Sequence, residues 1–289
     1  MSIHGVLGES TSYPKTYHPE SLYAIPRQLG REVILGQNES RQLDTLTLGV
    51  DWWHAFEVSW VNPQGISQVA LARFAIPATS PNIVESKSLK LYLNSLNFTE
   101  FADWQTVEAI ITKDLSACVG APVVVSLFAL NQVNNKSGLL IEQPQGRCID
   151  NALEGQDSKI ALTEHPDASL LGAVETVGES SQDYQLYSDL LRSNCPVTDQ
   201  PDWGTLAIEM STTASVDEGK LLTYILSFRQ HNGFHEQCVE QIFADLTDHF
   251  APSKLMVRAW YTRRGGIDIN PCRVSDLSLL PEPSRLIRQ

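Results

Sequence analysis

Hydrophobic and polar positions repeat in the same order twice along the chain. Val69 to Ile76 reads as a strand, and Leu206-Ala207-Ile208-Glu209-Met210 alternates in and out as a half-buried strand does. Each leads into a helical stretch with corresponding residues. Glu85-Ser86-Lys87-Ser88-Leu89 is followed by Tyr92, Ser95, Phe101 and Asp114-Leu115. Glu218-Gly219-Lys220-Leu221-Leu222 is followed by Tyr224, Ser227, Phe234 and Asp245-Leu246. An apolar run closes each half, Val123 to Leu130 in one and Leu255 to Tyr261 in the other. Two amphipathic stretches can look alike by chance, but matched order adds to matched residues, and the pattern predicts a duplicated α+β unit.

Between the halves, Asp150 to Asp183 is rich in acidic residues with Lys159 as its one basic residue, and it reads as a solvated connection. The last stretch is the reverse, with Arg258, Arg263, Arg264, Arg273, Arg285 and Arg288. Two explanations stand side by side: a site for a phosphorylated cofactor, since Arg pairs bidentately with phosphate, or an edge strand protected by charge.

Composition narrows the function classes. With 289 residues, 42% hydrophobic and 19% charged, the chain is long enough for a sizeable core and is not of disordered type. A net charge of -13 repels phosphate backbones, which disfavours direct nucleic-acid binding and suits a small substrate. The longest apolar run, Ala121 to Leu130, is half of the roughly 20 residues a spanning helix needs, so no membrane association is expected. The N-terminus lacks a secretion signal, and five scattered cysteines without a CxxC pair favour reduced thiols and a cytoplasmic location.

Ser193 to Trp203 is the most informative segment. Pro196 and Pro201 forbid regular helix there, so Cys195 sits on a stiff loop that enters a strand at Gly204. A thiol needs a nearby base or positive charge to attack at neutral pH, and Asp202 is close enough in sequence to carry a proton. The plain alternative is a buried cysteine acting as a small hydrophobe. His231, His235 and Cys238 fall at helical spacing and could hold a metal with Cys195, unless Gly233 marks a helix start and sends His231 elsewhere. Glu236 or Glu85 could accept two N–H donors from a guanine-type edge; either could equally be a helix-terminal residue favourable to the dipole.

Four motifs occur together and in order: Glu85 to Tyr92, the Cys195 loop ending Gln200-Pro201-Asp202-Trp203, Phe234-His235-Glu236-Gln237, and Tyr261-Thr262-Arg263-Arg264-Gly265-Gly266. The combination resembles the NADPH-dependent 7-cyano-7-deazaguanine reductases of the queuosine pathway in their long, two-module form, from Asp51-Trp52 to Arg288. The resemblance implies an α+β fold of tandem tunnelling-fold modules, antiparallel sheets with paired helices. Residues 1–148 and 189–289 would be the modules, with 149–188 connecting them. It implies Cys195 as nucleophile and Asp202 as proton donor, with Val84, Glu85, Ser86, His235 and Glu236 holding a deazapurine. Ser86, Lys87, Arg264 and Gly265 would contact NADPH. It also implies one site per chain, a homodimer and no metal. Zinc-dependent cyclohydrolases share this fold and are one rival reading; a non-catalytic purine-binding oligomer is the other.

Overall fold

The computed structural model describes residues 13–289 except 135, 136, 156–158, 162, 177 and 179. The chain runs β1 (Ala24–Pro26), α1 (Gln28–Gly36), β2 (Gly49–Val61), β3 (Ser67–Pro77), β4 (Asn82–Val84), α2 (Ser86–Leu96), α3 (Trp104–Val119) and β5 (Val124–Phe128). Short strands β6 (Ile141–Glu142) and β7 (Arg147–Cys148) follow. The second half is β8 (Gln182–Asn194), β9 (Pro201–Thr212), α4 (Glu218–Leu226), α5 (His235–Phe250), β10 (Lys254–Tyr261) and β11 (Ile267–Val274), with β12 (Arg285–Leu286) near the end.

One eight-stranded sheet in the order β5-β3-β2-β11-β10-β9-β8-β7 carries both halves. Its ladders are antiparallel except β7 on β8. The halves are a β-β-α-α-β unit and a β-β-α-α-β-β unit laid side by side, which makes them tandem tunnelling-fold modules. They meet where β2 pairs with β11, Trp53 opposite Ile269. The first hairpin slips register between Ala55 and Val58, and the second between Ser188 and Leu191, so even the bulge recurs.

The matched helical residues make matched contacts. Tyr92 donates to Asp114 at 2.8 Å and Tyr224 donates to Asp245 at 2.6 Å. The Ser95 and Ser227 hydroxyls each donate to the carbonyl of the matching tyrosine at 2.6 Å. Both helix pairs lie on the same side of the sheet, each over its own core. Trp53, Phe74, Leu89, Tyr92 and Ile111 are central to one; Ile208, Tyr224, Ile242 and Phe243 are central to the other. Three of the helices start where an acid accepts free amides: Glu85 for α2, Asp103 for α3, Asp217 for α4.

Three features depart from the sequence reading. The acidic stretch does not simply float in solvent: Ile149 and Leu171 enter the second core, and Asp167 N donates to Ser227 Oγ at 3.2 Å. The 188/189 boundary also falls inside β8, because polar residues on that strand's outward positions, such as Asp183 and Asp189, imitate a loop. The arginines do not form one patch. Arg258 is sandwiched between Trp52 and Trp260, 4.7 and 4.3 Å from their ring centroids, while Arg273 sits in a buried ion cluster. Arg263 and Arg285 both lie over Phe56, and β11 is a central strand, not an edge. Only Arg264 of the six lines the pocket described below.

Residues 23–41 form a strap across both modules. β1 pairs with β4, and α1 lies on α5, joined by Arg31 to Glu240 at 2.7 Å and by Arg41 to Asp245 and Asp248. Gly30 permits the close approach, since a Cβ there would meet the Gln237 side chain at 2.0 Å. Replacing Tyr224 or Tyr92 by Phe leaves a buried carboxylate short of a donor. Each change is expected to cost about 1–3 kcal/mol in urea unfolding, without loss of the fold.

Candidate active site

A pocket opens at the seam of the modules. Val84, Glu85 and Ser86 come from the end of β4 and the start of α2; Cys195, Pro196, Val197 and Asp202 come from the loop after β8 and from β9. Phe234, His235 and Glu236 come from the start of α5, Trp53 and Ile269 from the paired strands, and Arg264 from the β10–β11 turn. Residues far apart in sequence thus converge because β2 and β11 are neighbours.

The Cys195 loop folds into a single helical turn. Asp199 N donates to Cys195 O at 3.0 Å, Pro196 occupies the first position of the turn, and Asp199 closes it at φ 57. In that geometry Cys195 stands where a capping residue would, facing the Val197 and Thr198 amides. Burial pushes the thiol up, but the Thr198 hydroxyl, those two amides and Arg264 outweigh it and hold the thiol below its ordinary value. Cys195 is 9% exposed, so these donors act on the thiol in a nearly dry place. A simple buried hydrophobe would have none of these donors. Cys118, Cys238 and Cys272, by contrast, are pushed up to about 11 or 12 by burial.

Asp202 lies opposite this loop. His235 Nε2 is 3.1 Å from Asp202 Oδ2 and Arg264 Nη2 is 3.4 Å from Oδ1. Burial would raise the Asp202 carboxyl, but His235, Arg264 and Lys90 hold it below the usual carboxylate range, so it is ionised. The His235 ring is fixed by stacking on Tyr261, centroids 3.7 Å apart and 5° from parallel.

The structure separates the two glutamates that spacing could not. Both Glu85 oxygens cap α2, accepting from Lys87 N at 2.9 Å and Ser88 N at 2.6 Å. Glu236, 3% exposed, has an Oε1 with no hydrogen-bond partner among the described residues, and Trp53 Nε1 beside the pocket is equally unsatisfied. Burial and the Asp51 charge push Glu236 up to about 7, against the pull of Arg27 and Arg273. Buried unpaired groups on a pocket wall can be met by a polar ligand or by water.

Ser86 and Arg264 reach the pocket, while Gly265 lies just beyond it, along an adjoining cavity of about 300 Å³ with Lys90, Asn94 and Glu57. Lys87 lines neither space, although its amide helps form the α2 start. Sequence reasoning missed Lys90, which packs against Gly265 and feels the charges of Glu85, Asp202 and Cys195. Its signal was there: Lys90 follows Lys87 by one helical turn on α2. Thr198, Trp53 and Phe234 were also missed. The positive α2 start, Arg264, Lys90 and the bare backbone at Gly265 suit a phosphorylated dinucleotide.

The metal reading finds no cage. α5 begins at His235, as a helix start after Gly233 requires, and His231 turns into a separate apolar cavity beside Phe228 and His165. No group of three His, Cys, Asp or Glu side chains converges among the described residues.

Tandem tunnelling-fold modules with a candidate thiol site at their seam define the class of this protein. Two family models agree with that class: one described as "Nitrile reductase, 7-cyano-7-deazaguanine-reductase N-term" matches residues 13–127, and one described as "QueF-like protein" matches residues 201–277. Relatives named NADPH-dependent 7-cyano-7-deazaguanine reductase are 64% identical in Psychrobacter cryohalolentis, 63% in Psychrobacter arcticus and 51% in Acinetobacter baumannii, each covering 100% of both chains. The chain belongs to the 7-cyano-7-deazaguanine reductase family of nitrile reductases. No helix among the described residues is long and apolar enough to cross a membrane.

Thr198→Val removes one donor to the thiol. The pH profile of Cys195 alkylation by iodoacetamide is expected to move to higher pH; an unmoved profile would remove Thr198 from the account.

Proposed function

We propose that this chain reduces the nitrile of 7-cyano-7-deazaguanine to the aminomethyl group with two equivalents of NADPH, through a covalent bond between Cys195 and the nitrile carbon. The observation that carries the reading is an acidified cysteine sharing one pocket with an ionised, histidine-paired aspartate and an unpaired buried glutamate. A thiolate, a proton carrier and an acceptor for a guanine-type N–H edge are the three parts this reaction needs.

Asp202, ionised at rest, takes the Cys195 proton as sulfur attacks the nitrile carbon. One carbon–nitrogen π bond breaks, and Asp202 returns the proton to nitrogen, giving a thioimide. Asp202 is thus a donor only after it has been an acceptor, and His235 holds its carboxylate in place for both. When bound, NADPH supplies one hydride to the thioimide carbon and a second NADPH supplies another to the imine carbon, each matched by a proton to nitrogen. Between them the carbon–sulfur bond breaks and Cys195 leaves as thiolate, favoured by the same donors that acidify it. Trp53, Phe234 and Ile269 wall the imine from water, which would hydrolyse it. Glu236 holds the base through its N–H edge, aided by Val84, Glu85 and Ser86. Ser86, Arg264 and Gly265, joined by Lys90, take the cofactor, with Lys87 next to them at the α2 start although it lines neither cavity. The queuosine pathway, a cytoplasmic location and a homodimer come with this reading from the family resemblance.

Mixing the protein with 7-cyano-7-deazaguanine, without NADPH, should raise the intact mass by that of one substrate, located on the peptide containing Cys195. Cys195→Ala should show no adduct. Asp202→Asn should form it slowly and reduce it about 100-fold or more slowly. Turnover retained by Cys195→Ala would defeat the covalent route.

A further inference from the structure

Beneath Glu236 lies a closed cluster of charges that the reaction above does not use. Arg27 donates to Asp51 Oδ2 at 2.5 Å and Arg273 donates to Asp51 Oδ1 at 2.7 Å. Arg273 and Arg31 both reach Glu240 Oε1 at 2.7 Å. All five side chains are buried. Three guanidiniums against two carboxylates leave the cluster with one positive charge in excess. The mismatch has a location: Arg27 Nη1 is buried, 3.8 Å from Glu240 Oε1 and without a hydrogen bond among the described residues. Glu236 is the buried acid with an unsatisfied oxygen above the same cluster, one helical turn before Glu240 on α5.

We propose, resting on the reading of Glu236 as the acceptor for the substrate's N–H edge, that Arg27 is a positioning residue that keeps Glu236 a carboxylate. The strap residue supplies, from a segment outside the central sheet, the charge that makes the cluster neutral when Glu236 is ionised. Burying Glu236 alone would favour its neutral form, whose O–H is a donor where two donors of the substrate must be met. The balance is close. Burial and Asp51 push Glu236 up to about 7, and Arg27 and Arg273 pull it back.

The charged and titratable groups around Glu236 are Asp51 from β2, Arg27 and Arg31 from the strap, Arg273 from β11, and Glu240 and Cys238 from α5. Glu85, Cys195, Asp202, His235 and Arg264 face the same pocket. Of these, Arg27 joins from the β1–α1 junction, whose backbone also fixes β4 through Ala24 opposite Val84. One segment therefore sets both the place of Val84–Glu85 and the charge of Glu236.

The test is the affinity for 7-cyano-7-deazaguanine against pH, by calorimetry in a Cys195→Ala background so that binding stays reversible. Affinity requires ionised Glu236, so it is present above the glutamate's pKa and lost as pH falls through it. Arg27→Met removes a favourable charge and should move this acid limb up by about one pH unit. Asp51→Asn removes an unfavourable charge and should move it down, and Arg27→Lys should return it towards the parent. A general loosening of the fold would shift Met and Asn variants the same way, so opposite shifts distinguish charge from damage. Limbs that do not move, or that move together, overturn the role of Arg27. Glu236→Gln is expected to lose both affinity and limb; full pH-independent affinity in that variant would instead overturn Glu236 as the acceptor.

Discussion

The pairing of β2 with β11 is the constraint on which the rest of the molecule depends. It fuses two helix-covered sheets into one and sets the start of α2 opposite the start of α5 across a shared seam. Asp51 and Trp53 of the first module then face Arg273 and Ile269 of the second. A slip of one residue in this register would turn Trp53 outward and His54 inward, because successive strand residues face opposite sides. It would also separate Asp51 from Arg273. Ladder register, core packing and site geometry are thus a single requirement, which explains why β11 is buried along its whole length.

Within the seam, charge is arranged in two layers. Near the mouth, Arg264 and Lys90 stand by Asp202 and Cys195, and together with the loop amides they favour the anionic forms of both. Deeper in, the Arg27–Asp51–Arg273–Glu240–Arg31 cluster is almost balanced within itself and leaves its residue of positive charge to Glu236. Buried ion clusters give little net stability, since desolvation offsets attraction. Their use here is to hold charge at fixed points in a dry place, which side chains in water cannot do.

Duplication supplied the frame and divergence the chemistry. Tyr92–Asp114 and Tyr224–Asp245 are the same contact made twice, and each β-β hairpin keeps its bulge. The Cys195 loop follows the first strand of the second hairpin, where the first hairpin has only the short Asn62 to Gly65 turn. The first module contributes the start of α2 instead; β11, the fourth strand of the second module, takes β2 as its outer neighbour, and the first module, without such a strand, ends the sheet at β5.

Much of this was written in the sequence, and the reasons are local. Strand alternation, the repeated Tyr, Ser and Asp positions, the prolines stiffening the Cys195 loop and the glycine before α5 all act within a few residues of themselves. They predicted the tandem α+β modules, put Cys195 on a loop and offered a helix start at His235 and Glu236 as one of two readings, whereas Asp202 lies on β9, which begins before the strand start expected at Gly204. Sequence could not choose between Glu85 and Glu236, because a capping acid and a ligand-binding acid look alike until one sees whose amides are nearby. Nor could it tell that Arg258 and Arg273 are interior while Arg264 lines the pocket, since charge along the chain does not reveal which sheet face a residue occupies. Arg27, Lys90 and the two-layer charge pattern arise from contacts between segments far apart in the chain. Only the tertiary fold decides those, because electrostatic interaction depends on distance through the interior and not on separation along the backbone.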